Sequence, residues 1–237
     1  MSALPAHPVR VEGTLDPQLS RWLWLVKWLL AIPHFIVLFF LFVAFFLLTI
    51  AAFFAILFTG RYPRSIFDFN VGVLRWAWRV GFYTYDALGT DRYPPFSLKP
   101  EADYPAVLEV DYPEQLSRGL VLVKWWLLAI PHYLVLAVLF GGGGVGWSSG
   151  WDDHGGGWWG RGPGLIGLLV LFAAVALLFT TRYPRGIFDF VMGLNRWAFR
   201  VLAYAALMTD AYPPFRLDQG EQDPRYVVTP PTRSLPR

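Results

Sequence analysis

Apolar residues run almost without interruption from Phe35 to Phe58, and only Thr49 is polar in that stretch. At about 1.5 Å per residue the run is long enough for one membrane-crossing helix. Including Trp22 to Ile32 extends it to about 55 Å as a single helix. Two arrangements follow. Either one long helix crosses, or Arg21 to about Phe42 and about Val43 to Thr59 form a hairpin whose ends share one side. After this run the period changes. Asp68, Gly72, Arg75, Arg79 and Asp86 gather within roughly 60° of a helical wheel, and aromatic and aliphatic residues fill most of the remainder. That pattern predicts an amphipathic helix over about 66–88, and another over 187–208. Short alternation bounded by proline, at Val9–Val11 and Val107–Val110, predicts β-strands ahead of each apolar run. With the stretches after Phe96 and Phe215, these could assemble into a small sheet.

Self-comparison decides the organisation. Ala31-Ile32-Pro33-His34 recurs as Ala129-Ile130-Pro131-His132. The run Arg61 to Trp76 recurs as Arg182 to Trp197, with 11 of 16 positions identical. Asp91 and Tyr93-Pro94-Pro95-Phe96 recur as Asp210 and Tyr212-Pro213-Pro214-Phe215. The chain therefore divides into repeat one (1–98), a linker (99–105), repeat two (106–217) and a polar, Pro-rich tail (218–237) of the composition of a disordered segment. The offset between copies grows from 98 at Pro33/Pro131 to 121 at Arg61/Arg182, which places 23 extra residues in copy two. They are rich in Gly and Trp and fall between the positions equivalent to Phe42 and Val43.

The IPH segment, the F-TGRYPR-IFDF-G-RW block and the D-YPPF ending resemble a bacterial, largely actinobacterial membrane family known as domain of unknown function 4389. The resemblance covers about 200 residues as two tandem copies. It implies residence in a membrane, and no activity.

Charge and composition narrow the choice of topology. The 237 residues hold 16% charged and 55% hydrophobic side chains, an apolar excess too large for the core of a soluble globule of this size. Exposed backbone groups in the Gly-rich insertion, with Asp152, Asp153 and Arg161, cannot sit at mid-bilayer. They can sit outside a hairpin, and in that arrangement Arg161 alone of the 20 Lys and Arg lies on the far side. The expectation is thus an all-α integral membrane protein of two tandem repeats. Each would be a transmembrane helical hairpin plus an amphipathic interfacial helix, with short β-strands flanking each repeat. It would be multi-pass in the plasma membrane, with both termini cytoplasmic and the loop 141–164 outside. The first 20 residues lack the basic start and apolar core of a cleavable signal.

No cysteine is present, which removes thiolate metal sites, iron–sulfur ligation and cysteine nucleophiles. His34 and His132 lie inside apolar segments, where ionisable residues are candidates for function, and they are the weak candidates for a metal. The blander reading is a histidine capping carbonyls freed by the preceding proline. Lys27 and Lys124 are expected to snorkel to the headgroups. Arg75, Arg79, Arg196 and Arg200 are candidates to face lipid phosphates, the other copy or a protein partner. Ser65, Asp68 and Asp189 read as helix-start caps. No catalytic residue, metal or cofactor is assigned, and no nucleic-acid module appears. The expected role is structural or scaffolding, organising membrane lipid or an unidentified membrane protein partner or homo-oligomer. The alternative is a small transporter or channel with a pathway between the repeats.

Overall fold

The computed structural model describes residues 7–139 and 164–223. The expected outer loop therefore lies, except for Gly164, outside the described residues. The element order is β1 (Val9–Gly13), α1 (Trp24–Thr59), α2 (Arg64–Tyr83), β2 (Ala106–Val110), α3 (Arg118–Val123), a π-helical turn (Lys124–Leu128), α4 (Ile130–Leu139), α5 (Leu165–Thr180) and α6 (Arg185–Ala205). Among the described residues the protein is mostly helical, with two short strands. Two helical stretches are long and apolar enough to cross a membrane, Trp24–Thr59 and Arg118–Ala137.

The hairpin expected in copy one is not there: α1 is one helix of 36 residues, about 54 Å long. Nothing in Phe39 to Phe46 can reverse the chain, since it holds no Gly, Pro or hydrogen-bonding side chain. Pro33 is absorbed inside the helix. Copy two treats the equivalent Pro131 differently, placing a π-helical turn just ahead of it. A π-turn is one way to rehouse a carbonyl that proline leaves without a donor.

The buried residues of α1 are Lys27, Ala31, His34, Leu38, Phe45, Ala52 and Ile56. Their spacing of three, four or seven confines them to roughly 60° of the wheel. Most of the remaining arc is apolar and exposed along the helix, from Leu25 through Phe39 and Phe46 to Phe58. This is a helix with one protein-facing stripe.

Helix α2 is covered on three sides, which explains why an amphipathic helix is buried almost throughout. Trp76 and Val80 meet Leu38 of α1, and Asn70 donates to Thr49. Trp78 and Phe82 meet Phe199 and Phe188 of α6. The charged stripe faces the strands. At its start the expected caps are absent. The helix begins at Arg64 with Pro63 as N-cap and no side-chain capping bond, and α6 begins likewise after Pro184. Ser65 and Asp68 are exposed and Asp189 is half-buried, all beyond the cap position. Arg64, Ser65, Arg185 and Gly186 are exposed, so water can meet the first N–H groups of both helices.

The strands pair antiparallel, with Val11 opposite Leu108. Those two residues are also equivalents, since the offset of 97 that maps Leu19 to Leu116 maps one onto the other. A pseudo-twofold axis therefore passes through that pair. The strands are exchanged between repeats: β1 precedes copy one but packs on α6, and β2 precedes copy two but packs on α2. Val9, Val11, Ala106 and Leu108 point inward. Arg10 stands opposite Glu109 on the outer face and pairs with it at 3.1 Å and with Asp111 at 2.8 Å. The sheet has two strands, not four.

The segments after each YPPF are instead held close over a glycine. A Cβ on Gly72 would lie 2.9 Å from both the Cβ and the carbonyl oxygen of Leu98, whereas one on Gly193 would find its nearest atoms at 3.5 Å. Gly72→Ala is expected to lower the melting temperature in detergent, at a cost of about 1–3 kcal/mol. Gly193→Ala should be neutral or mildly stabilising, because alanine is the better helix former. Equal effects at the two positions would contradict this reading of the close approach.

Candidate functional site

The repeated motifs converge. In copy one, Trp76 Nε1 donates to His34 Nδ1 at 3.1 Å. Phe96 stacks on the same imidazole at 3.9 Å between centroids, and Tyr93 closes another side at 4.8 Å. In copy two, Phe215 stacks on His132 at 4.3 Å, with Tyr212 and Trp197 beside it. The IPH, RW and YPPF motifs are thus parts of one aromatic box. Both histidines are fully buried. His34 does not cap carbonyls freed by Pro33; its Nδ1 accepts from Trp76, and its Nε2 has no partner among the described residues. Among the described residues no group of three His, Asp or Glu is placed to hold a metal.

A second cluster ties each repeat's first helix to the end of its last. Lys27 Nζ donates to the Thr90 carbonyl at 2.6 Å and pairs with Asp91 at 2.8 Å. Lys124 repeats the arrangement with Thr209 at 3.0 Å and Asp210 at 2.7 Å. Each aspartate also accepts a backbone N–H, from Ser20 and Ser117. The lysines are buried inside this lock; they do not snorkel. The signal was available, because both the lysine and the aspartate recur in each copy.

The arginine stripe lies in the third cluster, at the pseudo-twofold axis. Arg75 Nε donates to the Leu108 carbonyl at 3.0 Å, and Arg196 Nε to the Val11 carbonyl at 2.8 Å. Arg79 reaches the carbonyls of Ser97 and Lys99. Arg196 reaches the carbonyls of Asp218 and Gly220. Arg200 is held by Asp218 at 2.7 Å and Asp223 at 2.8 Å. Arg79, Arg196 and Arg200 are buried and Arg75 is half-buried. The acceptors that the structure gives these residues belong to the other copy and to the chain's own loops. Burial pushes the Arg79 and Arg196 guanidinium pKa values down, while Glu101 and Asp223 oppose the shift. The same contacts order the start of the expected disordered tail, residues 218–223; the remainder lies outside the described residues.

Two of the cavities between the repeats are walled mainly by aromatic and aliphatic side chains. The larger, about 650 Å³, is lined by Phe35, Phe39, Gly81, Thr84, Asp86 and Asn195 among others. The other, about 510 Å³, has Tyr133, Leu202 and Ala205 in its wall. Neither is lined by His34 or His132. Asp86 is the acidic residue in the larger cavity, and sequence reasoning had placed it only in the charged stripe. Its signal is a change of offset: Tyr83/Tyr204 differ by 121 and Leu88/Leu207 by 119, so two residues between Tyr83 and Leu88 are extra, and copy two has only Ala205 and Ala206 there, with no acidic residue.

These features define a mostly helical, internally duplicated protein with two helices able to cross a membrane. The chain belongs to the family described as Domain of unknown function (DUF4389), whose model matches residues 21–97 and 164–216, one segment in each copy. Neither a curated protein nor a solved structure matches it.

Asp91→Ala leaves the Lys27 ammonium buried with only a carbonyl and the Tyr83 face, and should cost on the order of 3 kcal/mol. The double change Lys27→Met with Asp91→Leu should recover part of that loss in thermal melts. An additive double variant would refute the lock. Tyr62 provides a pH test. Its phenol is buried and accepts from Asn70 at 2.9 Å, and burial pushes its pKa from 10.0 up to about 12. The folded chain therefore binds this proton more tightly than the unfolded chain across that window, and stability falls as pH rises through it. Tyr62→Phe should make the alkaline loss shallower, by up to about 2–3 kcal/mol.

Proposed function

We propose that this is a structural membrane protein seated in one face of the bilayer, where its long apolar helices organise lipid. The observation that carries the reading is the pairing of opposite surfaces. The outer surface of α1 is apolar over its full length outside one narrow stripe. The ribbon on the far side of α2 exposes the Arg10–Glu109–Asp111 pairs.

Hydrocarbon does not tolerate lipid-exposed sheet edges, so the ribbon belongs in water. Helix α2 lies between the ribbon and α1 and joins the two ends of α1. The N-terminal end of α1 is bound by Tyr85 through the Trp24 carbonyl, and its C-terminal end leads directly into α2. If α1 crossed the membrane, α2 would have to cross back and carry the ribbon to mid-depth. As a straight span α1 would also need a tilt of about 55° to fit a hydrocarbon core of about 30 Å, against the usual 0–40°. An in-plane α2 avoids both problems. It places residues 20 and 65 on one side, as the hairpin would have done, but by immersion and not by a turn. Apolar volume added to one leaflet spreads that leaflet, which is how such a protein would shape or organise a membrane. The proposal assigns it no chemistry. A transport route would need His34 and His132 to line a path, and both are enclosed by aromatic rings.

Because the parent has no cysteine, single substitutions report cleanly. In the plasma membrane, Ser20→Cys and Ser65→Cys should show the same accessibility to an impermeant thiol reagent, both protected in intact cells and both labelled after permeabilisation. Opposite behaviour would mean that α1 crosses. Protein added to vesicles should also change their diameter or curvature; unaltered vesicles at saturating protein would remove the lipid-organising role.

A further inference from the structure

The larger cavity holds one half-buried carboxyl, that of Asp86, that no other group among the described residues meets. The Asp86 carboxyl has no hydrogen-bond or ion-pair partner among the described residues, although donors stand around it. Thr84 Oγ1 donates to the Val80 carbonyl at 2.8 Å. Tyr85 Oη donates to the Trp24 carbonyl at 2.6 Å. Asn195 Nδ2 is shared between the carbonyls of Asp86, at 2.7 Å, and Val191, at 3.0 Å. Each polar neighbour is thus committed elsewhere, and one of them holds the Asp86 main chain in place.

The site is also built differently from its counterpart. Asp86 Oδ2 lies where any side chain at position 81 would begin, 2.3 Å from an ideal Cβ, so the carboxyl requires Gly81. Copy two has Leu202 at the position of Gly81, and only Ala205 and Ala206 between Tyr204 and Leu207, so it lacks an equivalent of Asp86. The same alignment sets Thr84 against Ala205. One repeat therefore carries a carboxyl, a hydroxyl and the space for them, and the other fills the corresponding ground with apolar side chains.

A carboxylate in apolar surroundings is costly unless a cation meets it, and a neutral donor would leave its charge uncompensated. Burial accordingly pushes the Asp86 pKa up, with no charged neighbour contributing to the shift. Cavities of several hundred Å³ with apolar walls and few polar groups are typical of small-molecule sites. Phe35 and Phe39 line this one and are also exposed on α1, which gives an apolar approach.

We propose that this cavity binds a single-chain amphiphile bearing an ammonium group, with the chain against Phe35, Phe39 and Phe42 and the cation on Asp86. The inference goes beyond the structural role and stands whether or not α1 is immersed in one leaflet.

The test compares dodecyltrimethylammonium with dodecanol, an uncharged probe of the same chain length, on the full chain in an uncharged maltoside detergent. Retention is read by native mass spectrometry. The wild type should hold one copy of the ammonium probe about tenfold or more tightly than dodecanol. Asp86→Asn, which preserves shape, should abolish the preference, and Leu202→Trp should exclude both probes. Equal retention of the two probes by the wild type, or an unchanged preference in Asp86→Asn, would overturn the proposal. Should Asp86→Asn fail to fold, a diazirine-bearing ammonium probe on the wild type decides. Adducts at Phe35, Phe39 or Tyr85 support the site, and adducts confined to other segments refute it.

Discussion

Two guanidinium groups bound to two strand carbonyls hold this molecule together. A buried carbonyl needs a donor, and a buried guanidinium needs several acceptors at fixed angles. Arg75 with Leu108 and Arg196 with Val11 answer both needs at once, from opposite sides of one residue pair. Because each arginine comes from one repeat and each carbonyl from the strand preceding the other, neither repeat is complete alone. The rest follows from that exchange. The strands must lie against α2 and α6, so the arginines of those helices turn to protein carbonyls and carboxylates. Their remaining faces are then free to meet each other and to carry α1.

Much of this was legible as repetition, and less of it as chemistry. The paired motifs marked which residues mattered, yet the spacing could not say what they touched. A stripe with Arg75 and Arg79 looks the same on a wheel whether it meets phosphate or a peptide carbonyl, because both are acceptors for a planar donor fork. The histidines were misread for a related reason. A histidine after proline suggests local rescue of a carbonyl, whereas Trp76 and Phe96, 42 and 62 residues away in the chain, hold the ring. Long-range contacts of that kind leave no periodic trace.

The long helix shows a different limit. The 23 residues inserted in copy two were used to infer a turn at the equivalent point of copy one. The inference assumed that an insertion marks an existing loop. Helix α1 passes through that point unbroken, as an apolar run without Gly, Pro or a polar residue should. The local pattern in copy one was the better guide, and the comparison between copies overruled it wrongly.

The same comparison, applied at finer grain, is more informative where the copies diverge than where they agree. Shared residues such as Lys27 and Lys124 build the frame, and two copies of a frame need two of each. A residue present once has no such duty. Asp86 enters by a two-residue difference, requires Gly81 where copy two has Leu202, and leaves its carboxyl without a partner among the described residues. In a duplicated fold, symmetry accounts for structure, and an unsatisfied group that breaks the symmetry is where a ligand gains most by binding. The architecture places that group in a cavity whose walls come from both repeats, so any occupant would be held by both halves of the molecule at once.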